Sequence, residues 1–329
     1  MLLYITYPSW ITPEIIPGIP LLRWYGLMYL VAFTTAWALF RFQVKAGDLQ
    51  KAENRSQPVT DDEVLSFFTW GITGLLIGAR IFATLVYDPS GDYWMRPWLI
   101  FWPFGKDGSW TGLQGMSYHG GFIGGMTGMI LWARRYKRSF LAWCDTMGAS
   151  IPLAYTFGRL GNFLNGELYG RVTTSPLGMI FPGAQRFPLS QDWVKKTADA
   201  LGMLIPEGAQ LVNLPRHPSQ LYEAFFEGIF LWALIWLVFR RKRPFNGFIT
   251  AVYTIGYGAV RFVIEYFREP DADIGYRITA NGQPSPTYLN ESLLNLSTGQ
   301  ILCLVMIAAG TAFLVVRFLQ TAGERKDHG

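Results

Sequence analysis

The chain has 329 residues, 50% hydrophobic and only 16% charged, with a mean hydropathy of +0.20. Soluble proteins average about 25% charged residues, so the composition points away from an ordinary soluble domain, and 16% aromatic content points away from disorder by supplying apolar surface to offset the entropy of ordering. The net charge of +5 would suit nucleic acid, but the basic residues sit between apolar runs, where they set membrane topology and favour anionic lipid heads, so no nucleic-acid partner is expected.

In chain order, seven stretches approach the roughly 20 apolar residues needed to cross a bilayer: near 21–40, 66–86, 117–133, 140–160, 223–239, 246–266 and 299–320. The N-terminus shows neither a basic n-region nor a cleavage site, so the first stretch is expected to stay in the mature protein. Residues 92–112 carry four tryptophans with Pro97 and Pro103 and read as an interfacial segment. The fourth stretch is the weakest, holding Asp145, Pro152 and Arg159, and is accepted as one crossing because its neighbours need it. Gly120, Gly124 and Gly128, Gly121 and Gly125, and Gly74 and Gly78 repeat every four residues, the spacing that lets helix backbones touch. Cys144 and Cys303 fall in apolar stretches and form no disulfide framework or zinc spacing.

Lys and Arg in alternate connections number 15 on one face and nine on the other. The positive-inside rule then puts the N-terminus outside and the C-terminus inside. The expected architecture is an all-α integral membrane protein of seven transmembrane helices forming one membrane-embedded domain over 1–329. A small extracytoplasmic cap, 165–222, is inserted between spans 4 and 5. The outside loop at 272–298 is rich in turn formers.

With that topology the ionisable residues gather at one end of the spans. Arg23, Tyr25, Arg80, His119, Arg159, Asn162, Tyr257, Arg261 and Glu265 all fall toward the outer leaflet, which favours a surface site over a path across the membrane. Arg80, Arg159 and Arg261 outnumber the carboxylates expected at that depth, chiefly Glu265, so an anionic ligand, a phospholipid phosphate, is expected to balance them. Asp145 and Glu227 read as structural, His217 as part of a turn, and His328 as tail. No phosphate loop, serine elbow, metal-binding helix motif or dinucleotide fingerprint occurs, so no cofactor or metal is implied.

The segment GRLGNFLNGELYGR at 158–171 resembles the signature of bacterial prolipoprotein diacylglyceryl transferases. RWYGLMYL at 23–30, MSYHGGFIGG at 116–125, RHPSQLYEA at 216–224 and GYGAVRFVIEYFREPD at 256–271 agree with it in order and spacing. The resemblance implies a multi-pass enzyme of the bacterial inner membrane, its active site toward the outer leaflet. Such an enzyme moves a diacylglyceryl group from phosphatidylglycerol to the lipobox cysteine of a prolipoprotein signal peptide, releasing glycerol phosphate. It also implies functional roles for Tyr25, His119, Arg159, Asn162, Glu167, Gly170, Tyr257 and Arg261, with Arg80, Glu265 and Arg268 in support. The residue types suit that chemistry. Arg159 and Arg261 can stabilise the charge on the departing phosphate, and the thiol must ionise before it attacks. His119 is one candidate base; the alternative is a head-group contact for His119, with the arginine field alone lowering the thiol pKa. Asn162 and Tyr257 offer neutral hydrogen bonds to head-group oxygens, and Glu167 a partner for an arginine or a glycerol hydroxyl. A transporter would need charges at mid-depth, and a lipid-binding scaffold gives no reason for His119 and the carboxamides to join the arginines.

Overall fold

Apolar runs bounded by capping residues become helices. The computed structural model describes residues 4–16, 18, 22–88, 90–104, 108–109, 115–270, 275–280, 282–283 and 285–327. In chain order the helices are α1 (Trp24–Lys45), α2 (Asp48–Ala52), α3 (Asp61–Leu85), α4 (Asp92–Met95), α5 (Tyr118–Arg135), α6 (Phe140–Gly148), α7 (Ile151–Leu164), α8 (Asp192–Ala200), α9 (Ser219–Phe239), α10 (Phe248–Ile264) and α11 (Thr298–Asp327). Among the described residues α1, α3, α9 and α11 are long and apolar enough to cross a membrane, which makes this a mostly helical integral membrane protein. The chain divides into two compact units, one of residues 41–144 and one of 1–40 with 145–329.

In the unit 41–144, α3 begins with a capping box. The Glu63 amide donates to Thr60 Oγ1 at 3.2 Å and the Thr60 amide to the Glu63 carboxylate at 3.0 Å. Ser117 caps α5 by accepting from the Gly120 amide. The glycine spacing does what its period predicts: α3 and α5 cross in backbone contact, and a Cβ on Gly124 would lie 2.8 Å from the Gly78 Cα. Buried Phe67, Trp132 and Trp143 close one end, with ring centroids 4.4–5.1 Å apart. Residues 92–101 form α4 and a 3₁₀ turn, Pro97–Phe101, with Trp94, Trp98 and Trp102 exposed. The fourth tryptophan of that segment, Trp110, lies outside the described residues.

In the other unit, the expected fourth crossing is not one helix. It is interrupted between α6 and α7 where the Ser150 amide turns back to Met147 O, and Pro152, lacking an N–H, sits in the first turn of α7 as starting helices favour. Asp145, expected to be structural, accepts from the Gly247 amide (2.9 Å) and from the Thr250 amide and hydroxyl (both 2.8 Å), satisfying donors at the start of α10. α9 is wound partly as π-helix, at Ala224–Phe230 and Ile235–Phe239. Gly228 lets it press against α7, where a Cβ would sit 3.1 Å from Thr156 Cβ.

Among its described residues this unit also holds three separate two-stranded sheets. β1 (Ile5–Thr6) runs parallel to β2 (Met179–Ile180), and Tyr7 packs with Phe181 and Met179 while its hydroxyl donates to Phe163 O at 2.8 Å. β3 (Phe187–Pro188) pairs with β4 (Leu211–Val212) over a core of Phe187, Val194, Ala198 and Leu214, onto which Tyr288 of the 272–298 loop folds. β5 (Tyr276–Ile278) pairs antiparallel with β6 (Leu296–Ser297) and leads into α11.

Candidate active site

The 158–171 segment starts as the last turns of α7 and leaves through a strained turn. Gly166 (φ 65°) and Leu168 (φ 54°) both take left-handed backbone conformations, the second uncommon for a branched residue. The turn is held from α9, where Gln220 Nε2 donates to Glu167 O at 2.6 Å and Ser219 Oγ to Leu168 O at 3.2 Å. The chain then reaches Gly170, whose amide donates to His217 O at 2.8 Å and where a Cβ would lie 2.9 Å from His217 Cβ and against Phe267 O. Only glycine fits there, which is a backbone reason for this signature residue.

Arg159 emerges from α7 directly before the turn. Its Nε donates to the Tyr155 hydroxyl at 2.6 Å and lies 3.0 Å from Glu223 Oε2 on α9. The same Glu223 oxygen lies 2.8 Å from Arg261 Nη1 on α10. Arg261 also meets Glu227 Oε1 at 3.4 Å and, through Nη2, Glu265 Oε2 at 3.1 Å. Arg268 closes the group at 3.9 Å from both Glu223 and Glu265. The arginine excess expected from the sequence is therefore absent from this cluster: three guanidiniums meet three carboxylates. The sequence reading missed Glu223, although it stands in the RHPSQLYEA motif, and set Glu227 aside as structural. The available signal was two carboxylates one turn apart at the start of an apolar helix, where each must find a partner.

The two charges are nevertheless arranged asymmetrically. The Glu223 and Glu227 side chains have no solvent exposure and that of Glu265 has 3%, whereas Arg159, Arg261 and Arg268 retain 19%, 11% and 16%. The carboxylates are thus enclosed, and the arginine side chains are the more exposed members of the cluster. Tyr155 and Tyr257 meet edge to face with ring centroids 6.0 Å apart, and the Arg159 guanidinium lies 4.7 Å from the Tyr155 ring centroid. Asn162 links Arg159 to Glu167: its Oδ1 accepts from Arg159 Nη1 at 3.4 Å and its Nδ2 donates to Glu167 Oε1 at 3.1 Å. Tyr25 on α1 packs beside Gly161 of the signature, where a Cβ would lie 3.6 Å from its ring, and its hydroxyl is 3.0 Å from that of Tyr29.

Arg159, Asn162, Glu167, Arg261, Glu265 and Arg268 thus form one constellation, edged by Tyr257. Arg80 and His119 belong to the other unit. Buried Arg80 donates through Nε to Ile100 O and through Nη1 to Gly115 O at 3.3 Å. His119 is exposed at the start of α5, its Nδ1 2.8 Å from the Tyr87 hydroxyl. His217, read from sequence as part of a turn, lies 3.4 Å through Nδ1 from the Tyr222 hydroxyl and edge-on to Phe267; burial, then the Arg171 guanidinium, push its imidazole down to about 4. His328 lies outside the described residues.

The family model described as prolipoprotein diacylglyceryl transferase matches residues 14–316. The chain belongs to the prolipoprotein diacylglyceryl transferase family. It is 57% identical to the phosphatidylglycerol–prolipoprotein diacylglyceryl transferase of Treponema denticola, covering 100% of this chain and 99% of that one. It is 58% identical to the enzyme of that name from Treponema pallidum (94% of each) and 41% to that of Chlorobaculum tepidum (94% and 90%). In this family member the signature segment supplies Arg159, Asn162 and Glu167, the RHPSQLYEA motif Glu223, and the 256–271 motif Arg261, Glu265 and Arg268.

Proposed function

We propose that this chain transfers the diacylglyceryl group of phosphatidylglycerol to the lipobox cysteine of exported prolipoproteins, and that the constellation around Arg159 and Arg261 is its active site. The observation that carries the site assignment is the enclosed ion cluster in which one carboxylate, Glu223, holds Arg159 and Arg261 together, with the arginine side chains as its more exposed members. In the reaction the cysteine sulfur forms a bond to the glyceryl carbon bearing the phosphate, and that C–O bond breaks. The electron pair leaves with glycerol phosphate, whose extra negative charge faces guanidiniums already fixed in place. Because Glu223, Glu227 and Glu265 hold those guanidiniums, little reorganisation is needed as the charge develops. Asn162, Glu167 and Tyr257 are proposed to orient the head group, Gly170 to shape the turn that presents them, and Tyr25 to flank the reacting end. His119 is proposed as the base that takes the thiol proton, with Arg80 supporting its unit; His119→Asn that keeps the wild-type pH dependence would place thiol activation elsewhere.

The proposed topology has seven crossings with the N-terminus outside. α5 and α10 serve as the third and sixth, and α6 with α7 together as the fourth. Residues 165–222 form an extracytoplasmic cap, and the site opens toward the outer leaflet of a bacterial inner membrane. The test is incubation of the purified protein with phosphatidylglycerol and a lipobox peptide, read by mass spectrometry beside a Cys→Ser peptide. A diacylglyceryl mass gain confined to the cysteine peptide, with glycerol phosphate released, is expected. Arg159→Ala and Arg261→Ala are each expected to abolish the gain while the protein remains membrane-inserted; normal turnover in both would remove them from the mechanism.

A further inference from the structure

α9 ends in Arg240-Arg241-Lys242-Arg243-Pro244, after which the chain turns back into α10. Beside this turn lies an open cleft of about 560 Å³, shaped by the end of α9, the start of α10 and the side of α11. Its wall is apolar, formed by Val238, Phe239, Phe248 and Phe318, with the last two ring centroids 6.4 Å apart. Its rim is cationic. Arg241 and Lys242 are exposed, whereas the Arg243 guanidinium is turned inward, its Nε donating to Arg240 O at 3.1 Å, its Nη atoms buried and its charge acting on Asp145. No carboxylate lines the cleft among the described residues. Next to the wall positions in sequence, Leu237 and Leu319 are 77% and 69% exposed, so apolar surface continues beyond it.

At no more than 1.5 Å rise per residue, and less in the π-wound turns, the 16 residues from Glu223 to Phe239 put the cleft at most about 24 Å along α9 from the catalytic constellation. The two sites therefore lie at opposite ends of the same helix. A molecule fitting both wall and rim must be apolar along one part and anionic at one end. Resting on the proposed topology, we propose that this cleft binds one anionic phospholipid of the leaflet opposite the active site, its phosphate against Arg241 and Lys242 and an acyl chain along Phe248 and Phe318. Two exposed cations, with no carboxylate among the residues lining the cleft, favour an anionic over a zwitterionic head group, and the aromatic wall favours a lipid over a soluble phosphate. The bound lipid would fasten the α9–α10 turn to α11.

Native mass spectrometry of the full-length protein in detergent tests this, with phosphatidylserine as the anionic probe, phosphatidylcholine as the zwitterionic one and glycerol phosphate as the soluble competitor. The wild type is expected to retain at least one phosphatidylserine that Arg241→Gln/Lys242→Gln binds on the order of tenfold more weakly, at about 1 kcal/mol or less per charge removed. Both positions are exposed, so diacylglyceryl transfer and thermal stability are expected to stay unchanged, and the single reversal Lys242→Glu should weaken phosphatidylserine in the same direction. Equal retention of phosphatidylserine by wild type and both variants overturns the site. Equal retention of phosphatidylcholine at the same position overturns the charge argument, and displacement of phosphatidylserine by glycerol phosphate overturns the lipid assignment.

Discussion

Glu223 contacts Arg159 and Arg261 with one oxygen and approaches Arg268 with the other, and it does so with no solvent exposure. Removing one member of a buried ion pair leaves its partners uncompensated, at a cost of about 3–5 kcal/mol. Glu223→Gln is accordingly expected to lower the unfolding temperature and to abolish transfer, because Arg159 and Arg261 lose the group that aims them; wild-type turnover by the mass-spectrometric assay would show that Glu223 does not position them. His217 carries a pH effect of definite sign. Its imidazole takes a proton near 6.5 in an unfolded chain but only near 4 in the fold, so between those values the unfolded state binds more protons. Its stabilising contribution is complete above about 6.5 and fades as pH falls toward 4. The melting temperature of the purified protein should decline over that interval, and His217→Asn should decline less. At this scale the sequence was informative where a side chain's chemistry declares its purpose: arginines and carboxamides in an apolar span must meet polar partners, and Arg159, Asn162 and Arg261 do. It was less informative for Glu223, whose importance comes from three partners, on α7, on α10 and just past the end of α10, at sequence separations of 38 and more.

Among the elements, the α3–α5 crossing follows most directly from composition, because a glycine every fourth residue leaves a smooth face that another glycine face can touch. With a Cβ on Gly124 lying 2.8 Å from Gly78 Cα, and closer still to the Gly74 carbonyl, the helices cannot keep their spacing around a side chain. Gly124→Leu is expected to destabilise the unit 41–144 by more than the roughly 1–3 kcal/mol of ordinary overpacking, seen as a lower melting temperature or increased proteolysis between residues 41 and 144. An unchanged melting temperature and cleavage pattern would show that the crossing can open at little cost. Hydropathy alone was less informative for α6, α7 and α9. It averages over the turn at Ser150 that splits a continuous apolar run, and it carries no trace of the π-wound turns at Ala224–Phe230. Those turns depend on how α9 meets Thr156 and its neighbours on α7, which a single-segment reading does not contain.

On the scale of the whole molecule, the helical membrane architecture was legible because apolar length and basic connections are properties of segments. The small sheets were less so: their short strands join residues 5–6 to 179–180, 187–188 to 211–212 and 276–278 to 296–297, pairings set by tertiary contact rather than by alternating hydrophobicity. The long separations within the ion cluster bear on the order in which the chain is made. Glu223 and Glu227 leave the ribosome 38 and 34 residues before Arg261. While α9 enters the bilayer, Arg159 is the only guanidinium of the finished cluster that has left the ribosome, so the nascent helix carries two carboxylates into hydrocarbon against one cation. Synthesis of α10 relieves that imbalance. A chain terminated and released between Phe239 and Arg261 is therefore expected to be cleared by membrane quality control faster than one terminated after Arg268, measurable by pulse-chase of the truncated products, and equal half-lives would show that the early helix finds its charge balance elsewhere.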